Sequence, residues 1–482
     1  MPKASRKLEA GEPLFAGSPR PASISGKSTV DWTGFREALG GVETLTDPSR
    51  VKKRSRDFFW YSPILNRELA GCFGDLVVLP KSEDELARCL ALAADWRVPV
   101  TIRGGGTGNY GQAVPVDGGL IVDMTRMNAI LEVGPDFIRV QAGARIATVN
   151  RVLSEHGREL PIYPSTEEIA TIGGFIAGGS GGIGSIREGM LRDQGNILAL
   201  SVYSVEKAPR RLIFVGEEAN AIHHAWGING VIADLTLRTV PKRDWVDVLA
   251  NFPDYPQAFF TAAALGALPR FDLKLLTTID SRIVAMIRHL EGHVPAGRDL
   301  LSAMVAREQL ADFEVFIMAR GGKLNSARDG RTDGSLPPVS EFSFNHTTLQ
   351  VLKADRSVTY LQITLSDLES AALIADLRVT FGDEVLMHHE FALLEGRLVA
   401  FDLPVVRFTS EARLYEIMDI YRAHGCLISD PHRWTIESGG IKPDYRHLAW
   451  KKRLDPHDLL NSAKSRSWQE VKHLSPEDIG QL

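Results

Sequence analysis

The sequence predicts an α+β protein with a strand-and-helix domain around a glycine-rich loop and a second domain with a mainly antiparallel sheet. Three observations lead to this class. Short apolar strands flank the glycine-rich stretch 101–115, and capped amphipathic helices follow several strands. Beyond about residue 245, alternating strands are separated by amphipathic helices, which is typical of one sheet covered by helices. We expect four parts: a flexible arm at 1–35, a first domain at 36–242, a cap domain at 243–440 and a C-terminal return to the first domain at 441–482.

Composition indicates an ordinary soluble globular protein. The 482 residues are 44% hydrophobic and 24% charged, and the net charge of −5 provides no overall attraction to nucleic acid or anionic membranes. Three widely separated cysteines, without a CxxC motif, argue against a disulfide framework, a zinc site and a cysteine-ligated iron–sulfur cluster. The N-terminus has no apolar core of a signal peptide, and no run of about 18 apolar residues occurs. We therefore expect no transmembrane segment and a cytoplasmic location.

The first domain begins with alternating strands and helices. "DLVVLP" at 75–80 predicts a strand, and Ser82 with Glu85 forms a capping-box pattern at the start of a helix. The strand at 98–104 then leads into the glycine-rich loop. Further strands are expected at 119–127, 137–143, 197–205 and 211–215, with a helix at 145–157.

The second domain is predicted from alternation and helix caps. Strands are expected at 313–320, 341–353, 358–365 and 384–394. Helices are expected at 367–381, where Ser366 and Glu369 have capping spacing, and at 411–424, where Gly425 follows as a stop. The segment 320–340 is predicted to be a mobile loop.

The glycine-rich loop matches GxGxxG through Gly106, Gly108 and Gly111. A Rossmann site needs a helix starting at the third glycine, and here Gln112 is followed within three residues by Pro115. We therefore favour a loop whose own amides form an anion-binding nest for a diphosphate. A simple tight turn between strands is the alternative.

Three motifs together resemble the FAD-binding domain of the vanillyl-alcohol-oxidase (PCMH-type) flavoproteins. They are "RGGGTGNYGQAVP", "YPSTEEIATIGGFIAGGSGG" and "GINGVIADLTLRTVP", in this order. The nearest branch is that of the D-lactate dehydrogenase and glycolate oxidase subunits. The resemblance covers roughly 55–240 and returns at "LDPHDLLNSAK" (454–464), which is similar to the closing motif of the family.

The resemblance implies an FAD clasped between two α/β subdomains. It assigns FAD contacts to the three motifs and the closing segment: Arg103, Gly104, Gly105, Gly106, Thr107, Gly108, Asn109, Pro164, Ser165, Thr166, Thr171, Ile172, Gly173, Gly174, Gly178, Gly179, Gly181, Gly182, Ile228, Val231, Ile232 and Asn461. Relatives that attach FAD covalently through the first loop have a histidine where this sequence has Thr107. Attachment there is excluded, and a tether from a histidine elsewhere is left open.

A flavin that accepts a hydride at N5 needs a protein base for the departing proton. His432 is our candidate base and Arg433 our candidate clamp for a carboxylate or oxyanion, with His346, His388 and Glu390 lining the pocket. Strand alternation places His388 and Glu390 on one face, as two metal ligands or as a base and its orienter. The alternatives are a core histidine at 346 and a surface ion pair at 388 and 390.

The segments that surround the metal in the hydroxy-acid branch differ in this sequence. The hydroxy-acid branch carries "GDGNLH" and "EHG" segments beside its metal, and this sequence lacks both, with "MHHEF" and "DPHRW" as conjectural substitutes. The metal therefore stays unknown.

The sequence favours an FAD-dependent dehydrogenase or oxidase that acts on CH–OH groups, with a 2-hydroxy acid as the first substrate class. The alternatives are an alcohol or phenol oxidase using O2, and a non-catalytic flavin-binding subunit. A C=C or C=N reductase would need a nicotinamide site, for which we find no feature. The electron acceptor (O2, a quinone or a protein) and the oligomeric state, a homo-oligomer included, are left open.

Overall fold

The computed structural model describes residues 30–193, 195–329, 336–368, 370–437 and 443–482. Most of the predicted arm, residues 1–29, lies outside these ranges. The prediction that the arm extends to residue 35 is wrong, because helix α1 (Trp32–Ala38) begins within it. Asp31 caps that helix, and the buried Phe35 packs edge-on against Trp96. The cap and the aromatic contact together order this segment.

The first domain contains a four-stranded sheet. Its strands are β1 (Glu43–Leu45), β2 (Leu76–Leu79), β3 (Val100–Arg103) and β4 (Leu120–Asp123), in the order β1-β2-β4-β3. β2, β4 and β3 are parallel, and β1 is an antiparallel edge strand. The helices α2 (Pro48–Arg54), α3 (Pro63–Leu69) and α4 (Glu83–Trp96) complete this unit.

The predicted cap of α4 at Ser82 is confirmed, and Glu85 bonds the main chain one residue earlier than in a standard capping box. The Ser82 hydroxyl accepts the Glu85 N–H at 3.2 Å, and the Glu85 carboxylate accepts the Lys81 N–H at 2.8 Å. These bonds satisfy two main-chain donors at the start of the helix. α4 therefore begins where the sequence predicted.

A second sheet faces the first across a shared hydrophobic core. It is antiparallel, in the order β5-β6-β10-β8-β9, with strands β5 (Ile130–Val133), β6 (Phe137–Gln141), β8 (Ile197–Tyr203), β9 (Arg211–Val215) and β10 (Val231–Arg238). The core joins Val122 of the first sheet to Val140 of the second. Between β6 and β10 lie α5 (Ile146–Glu155), α6 (Ile172–Gly178), α7 (Ser185–Glu188) and β7 (Arg158–Glu159), which pairs with β11 (Val240–Pro241).

The cap domain is built on an eight-stranded antiparallel sheet in the order β15-β12-β14-β13-β19-β20-β17-β22. Its strands are β12 (Trp245–Phe252), β13 (Leu273–Ile279), β14 (Asp299–Ala306), β15 (Lys323–Arg328), β17 (Ile363–Leu365), β19 (His388–Leu394), β20 (Arg397–Asp402) and β22 (Leu427–Ile428). A three-stranded sheet contains β16 (Val358–Tyr360), β18 (Val385–Leu386) and β21 (Val405–Arg407). The α+β class with a mainly antiparallel cap sheet is confirmed.

Helices cover the cap sheet and close the chain. They are α8 (Tyr255–Gly266), α9 (Ser281–Val284), α10 (Leu310–Met318), α11 (Asn345–Ala354), α12 (Ala371–Phe381) and α13 (Glu411–Ala423), followed by α14 (Tyr445–Leu454), α15 (Ser467–Val471) and α16 (Pro476–Gly480). The C-terminal segment returns to the first domain. The Val100 N–H donates to the Leu459 carbonyl, and the Asn461 N–H donates to the Val100 carbonyl, both at 2.8 Å.

Two strands predicted in the cap are helices. Residues 313–320 belong largely to α10, which buries Phe313, Phe316 and Ile317 at helical spacing while Val315 stays 67% exposed. Because both faces of this helix carry apolar residues, the sequence also fits the alternating pattern of a strand. Residues 345–353 belong to α11, so the expected strand around His346 is also wrong. The alternation of aromatic residues at positions 342 and 344 ends at Phe344. The φ of Phe344 is 51°, which does not continue a strand.

Smaller differences concern boundaries in the cap. Residues 358–365 form two short strands rather than one. The helix predicted at 367–381 starts at Ala371, because the Ser370 hydroxyl, not Ser366, caps it by accepting the Leu373 N–H. Glu369 lies outside the described residues. The loop predicted at 320–340 contains β15, and its residues 330–335 lie outside the described ranges.

Candidate functional site

The first glycine-rich loop packs directly on the second glycine-rich segment. It leaves the end of β3, and no helix follows it before β4. A Cβ at Gly104 would overlap the Thr171 hydroxyl, and a Cβ at Gly105 would overlap the Ile169 carbonyl. Glycine is therefore required at these two positions for the contact between the loops.

Asn461 connects the first glycine-rich loop to the start of the third motif. Its main chain is left-handed, with a φ of 46°. Its side-chain amide donates to the Gln112 carbonyl at 3.2 Å and to the Trp226 carbonyl at 2.7 Å. The closing motif of the chain thus holds two distant loops at one place.

The three segments converge on a cavity of about 980 Å³ between the two subdomains and the cap. This volume lies at the upper end of the range of small-molecule sites, which is about 300–1,000 Å³. Thr171 and Asn109 both line the cavity, and the Thr171 hydroxyl is buried without a hydrogen-bond partner among the described residues. Buried polar atoms of this kind are expected where a polar ligand supplies the partner.

Most of the predicted cofactor contacts line this cavity. The lining set contains Gly104, Gly105, Gly106, Thr107, Gly108, Asn109, Pro164, Ser165, Thr166, Thr171, Gly173, Gly174, Gly178, Gly179, Gly181, Gly182 and Ile232. Five predicted contacts lie behind the lining: Arg103, Ile172, Ile228, Val231 and Asn461. Three of these residues pack in hydrophobic clusters of the protein core, behind the cavity wall: Ile172, Ile228 and Val231.

Arg103 supports the first loop from below. Its guanidinium donates to the Arg56 carbonyl at 2.9 Å and to the Gly105 carbonyl at 3.3 Å. Burial lowers the pKa of Arg103 from its ordinary value. The residue fixes the loop rather than contacting the cavity.

A buried acid and a buried base lie beneath the same loop. The Asp57 carboxylate accepts the N–H groups of Phe59 at 3.0 Å and Ala113 at 3.3 Å, and burial raises the pKa of Asp57 to about 6. The Lys464 ammonium donates to the Gly111 carbonyl at 2.6 Å, and burial lowers the pKa of Lys464 to about 8. Both groups hold the loop through its main chain.

The cap contributes an apolar wall with a few neutral polar groups. Successive positions on β17, β19 and β20 face the cavity: Thr364, Ala392, Leu394 and Phe401. Tyr110 of the first loop stacks on Trp226 and bonds through its hydroxyl to Gln362 of the cap. The cavity is thus closed by a direct contact between the two domains.

His432, our candidate base, does not line the cavity. It is fully buried, with Nδ1 2.7 Å from the Ser62 hydroxyl and Nε2 2.9 Å from the Tyr360 carbonyl. Because a carbonyl only accepts, Nε2 carries the proton, and Ser62 donates to Nδ1. Burial lowers the pKa of His432. Both ring nitrogens are engaged, so this geometry favours a structural role that joins α3 to the cap.

Arg433 also lies outside the cavity lining, next to the lining residue Asp430. Its Nε donates to Asp430 at 3.1 Å, and its guanidinium lies over the Tyr415 ring at 5.3 Å from the centroid. Neither His432 nor Arg433 is therefore among the residues that line the cavity.

His346 and the pair at 388 and 390 are buried in the cap, outside the cavity lining. His346 Nδ1 lies 3.5 Å from the Glu341 carboxylate, and burial lowers the pKa of His346. His388 Nε2 lies 2.9 Å from the Glu390 carboxylate, and both residues are at most 1% exposed, so they do not form the surface ion pair considered above. In the described part of the chain, no group of three or more His, Cys, Asp or Glu side chains is arranged to hold a metal ion.

Two residues that sequence reasoning missed face the cavity. His224 lines it, and its ring makes no hydrogen bond within the described ranges. Burial, with the charge of Arg192 next, lowers the pKa of His224 to about 4. Arg192 also lines the cavity and forms no ion pair with any described residue. The only available signal was the pair of adjacent histidines just before the third motif.

Comparison with known proteins identifies the glycine-lined region. Residues 74–203 match the family of the FAD binding domain. The chain is 31% identical to the glycolate oxidase subunit GlcD of Bacillus subtilis (strain 168) over 183 residues, which are 35% of this chain and 37% of that protein. It is 28% identical to the mitochondrial D-lactate dehydrogenase [cytochrome] of Arabidopsis thaliana over 264 residues, which are 52% of this chain and 46% of that protein. The chain thus spans less than half the length of these relatives.

Solved structures extend the likeness to the whole fold. An alkyldihydroxyacetonephosphate synthase superposes with a TM-score of 0.67 at 18% identity, covering 90% of this chain and 86% of that one. A BBE-like 1 variant from Physcomitrella patens superposes with a TM-score of 0.64 at 14% identity, covering 89% and 98%. At these identities the likeness concerns the fold alone. The resemblance inferred from the glycine motifs is confirmed, and FAD is the cofactor of this domain.

Among the helices of the described residues, none is both long enough and apolar enough to cross a membrane.

Proposed function

Because residues 74–203 belong to a family of FAD-binding domains, we propose that the protein is an FAD-dependent oxidoreductase that removes a hydride from a hydroxyl-bearing carbon of a small 2-hydroxy acid. The observation that carries the proposal is the glycine-lined cavity, which extends from the FAD-binding loops to the cap wall. When bound there, FAD supplies a two-electron acceptor for the substrate hydride. Relatives named for glycolate and D-lactate support the substrate class.

The chain's part in this reaction is to bind the acid and accept its hydroxyl proton. We assign the proton acceptor to His224, because this residue lines the cavity, its ring makes no hydrogen bond to a described residue, and it is neutral at pH 7. We assign the carboxylate contact to Arg192, whose guanidinium is available at the cavity. These assignments replace His432 and Arg433.

The cap wall would exclude water and select small substrates. Leu394 and Phe401 present apolar surface, while Gln362 and Thr364 present an amide and a hydroxyl. Such a wall suits a short carbon chain with one or two polar groups.

The proposal is tested with the purified protein in air-free solution. Its absorbance spectrum, before and after acid precipitation, reports whether flavin is present and whether acid releases it, as expected for non-covalent FAD. Flavin bleaching is then followed with a panel of D-2-hydroxy acids. Bleaching by at least one acid supports the proposal. Bleaching only by alcohols or phenols would replace the substrate class, and a protein that stays colourless with excess FAD would overturn the function.

Reoxidation identifies the electron acceptor in the same experiment. After reduction, the flavin is exposed either to air-saturated buffer or to a soluble quinone. Fast reoxidation by O2 indicates an oxidase, whereas reoxidation by the quinone alone indicates a dehydrogenase.

A further inference from the structure

Two buried polar residues of β19, His388 and Glu390, lie on the same face of the strand as the residues that line the cavity. Ala392 and Leu394 line the cavity, and strand alternation places His388 and Glu390 on the same face. His388 is 0% and Glu390 1% exposed, because the segment 342–347 covers them. These two residues therefore lie directly behind a part of the wall rather than in it.

Three donors converge on the Glu390 carboxylate. One oxygen accepts the Phe344 N–H at 2.5 Å and lies 2.9 Å from His388 Nε2, and the other accepts the Thr277 hydroxyl at 2.6 Å. His388 Nε2 is also 3.2 Å from the Thr347 hydroxyl, which itself donates to the Phe342 carbonyl. The network thus links β13, β19 and both ends of the covering segment.

The covering segment is strained where it meets the cavity. Phe344 has a φ of 51° and a ψ of −140°, a region that strongly favours glycine. A bulky side chain remains there only when its surroundings hold it, and the main-chain N–H of this residue is the one held by Glu390. This hydrogen bond, at 2.5 Å, is a direct contact that fixes the main chain at Phe344.

Two neighbouring residues of the covering segment line the cavity, the apolar Phe344 and the polar Asn345. Asn345 is the first residue of α11. The side-chain oxygen of Asn345 is buried and has no hydrogen-bond partner in the described part of the chain. A buried acceptor without a partner, in a residue that lines a cavity, is suited to a donor on the ligand.

From this arrangement we propose that Phe344 and Asn345 form a substrate-recognition corner, in which Asn345 accepts a hydrogen bond from a substrate hydroxyl and the His388–Glu390 pair holds the corner in place. His388 and Glu390 are then positioning residues, neither metal ligands nor a base. This inference rests on the proposed function, because it names the part of the wall that the substrate hydroxyl contacts.

Hydrogen exchange tests the positioning role without substrate. In the FAD-loaded protein, Glu390→Met removes all acceptors at similar length, Glu390→Gln retains one, and His389→Gln changes an equally buried residue on the opposite face of β19. We expect peptides that contain Phe344 to exchange faster in Glu390→Met, less so in Glu390→Gln, and as in wild type in His389→Gln. Equal exchange in wild type and Glu390→Met, or equal acceleration by His389→Gln, would overturn the role.

Air-free reduction by D-lactate tests the recognition role. Asn345→Ala loses one hydrogen bond, so we expect the substrate dissociation constant to rise about tenfold, with flavin content unchanged. Glu390→Met should raise it similarly. If Glu390 acts through Asn345, the double variant is no weaker than the worse single variant, whereas independent effects that multiply to about a hundredfold would overturn the link.

The two proposals fail in different ways. A wild-type protein that no 2-hydroxy acid reduces contradicts the proposed function, while the exchange measurement still decides whether Glu390 holds the corner. A wild-type protein that is reduced, with Asn345→Ala binding the acid normally, contradicts the recognition corner alone.

Discussion

The two walls of the central cavity are made from different parts of the polypeptide. The FAD-binding wall is largely main chain: the segments at 104–109 and 171–182 present glycines. The cap wall is made of side chains from separate strands, such as Thr364, Leu394 and Phe401. A wall of main chain needs residues without a Cβ, which leave a visible spacing in the sequence. A wall of side chains can be built from many residue types, so it leaves no recognisable spacing in the sequence.

Changing a glycine of the FAD-binding wall should have the largest effect. A Cβ in Gly105→Ala would overlap the Ile169 carbonyl, and main chain cannot move aside at low cost. We expect FAD affinity to fall by about a hundredfold or more, measured as flavin content and as the FAD dissociation constant. The matched control is Gly71→Ala, where a Cβ meets nothing within 4 Å. Full flavin content in Gly105→Ala would remove the distinction between the two walls.

The proposed base lies on the FAD-binding side, and its loss should affect the rate but not cofactor binding. We expect His224→Gln to slow flavin reduction by about a hundredfold, because the hydroxyl proton loses its acceptor. In the wild type the pKa of His224 is lowered to about 4, so the ring is neutral above that pH and protonated below it. The reduction rate should therefore stay level from neutral pH down to about pH 5.5.

The control for this prediction is His432→Gln. That change removes a buried structural hydrogen-bond pair, so it should lower stability while leaving the shape of the pH profile unchanged. A wild-type rate that already falls between about pH 7 and about pH 5.5, and a His432→Gln variant that abolishes this fall, would restore His432 as the base.

The smallest effect concerns the support of the glycine loop. Burial raises the pKa of Asp57 to about 6 from an unfolded value of 3.8, so the folded state holds a proton that the unfolded state releases. Its stabilising contribution is present below pH 3.8 and is lost as pH rises through 6. Between pH 5 and pH 7.5 the wild type should lose about 1.4 kcal/mol of unfolding free energy from this group.

Denaturant unfolding of wild type and Asp57→Asn at the two pH values measures that loss. The variant cannot titrate at this position, so the difference between the two proteins should change by the expected amount between pH 5 and pH 7.5. A constant difference would show that Asp57 has an ordinary pKa.

The first domain could be predicted in detail, whereas the cap could be predicted only in outline. In the first domain the helix cap at Ser82 and the short buried strands around the loop obey local rules, and each appears as expected. In the cap, α10 and α11 carry apolar residues that also suit a strand, and only packing on the sheet selects the helix. The pairing of His388 with Glu390 follows from strand alternation, but their burial behind Phe344 does not.

The sequence by itself determined the cofactor and the wall that holds it, because close approach to a diphosphate requires glycine at positions set by the main chain. Only the tertiary structure decided which side chains meet the substrate. Arg192 and His224 come from one domain and Asn345 from the other, and they reach the same cavity because the sheets pack around it. Contacts between residues so far apart in the chain depend on the geometry of that packing, which no local pattern records.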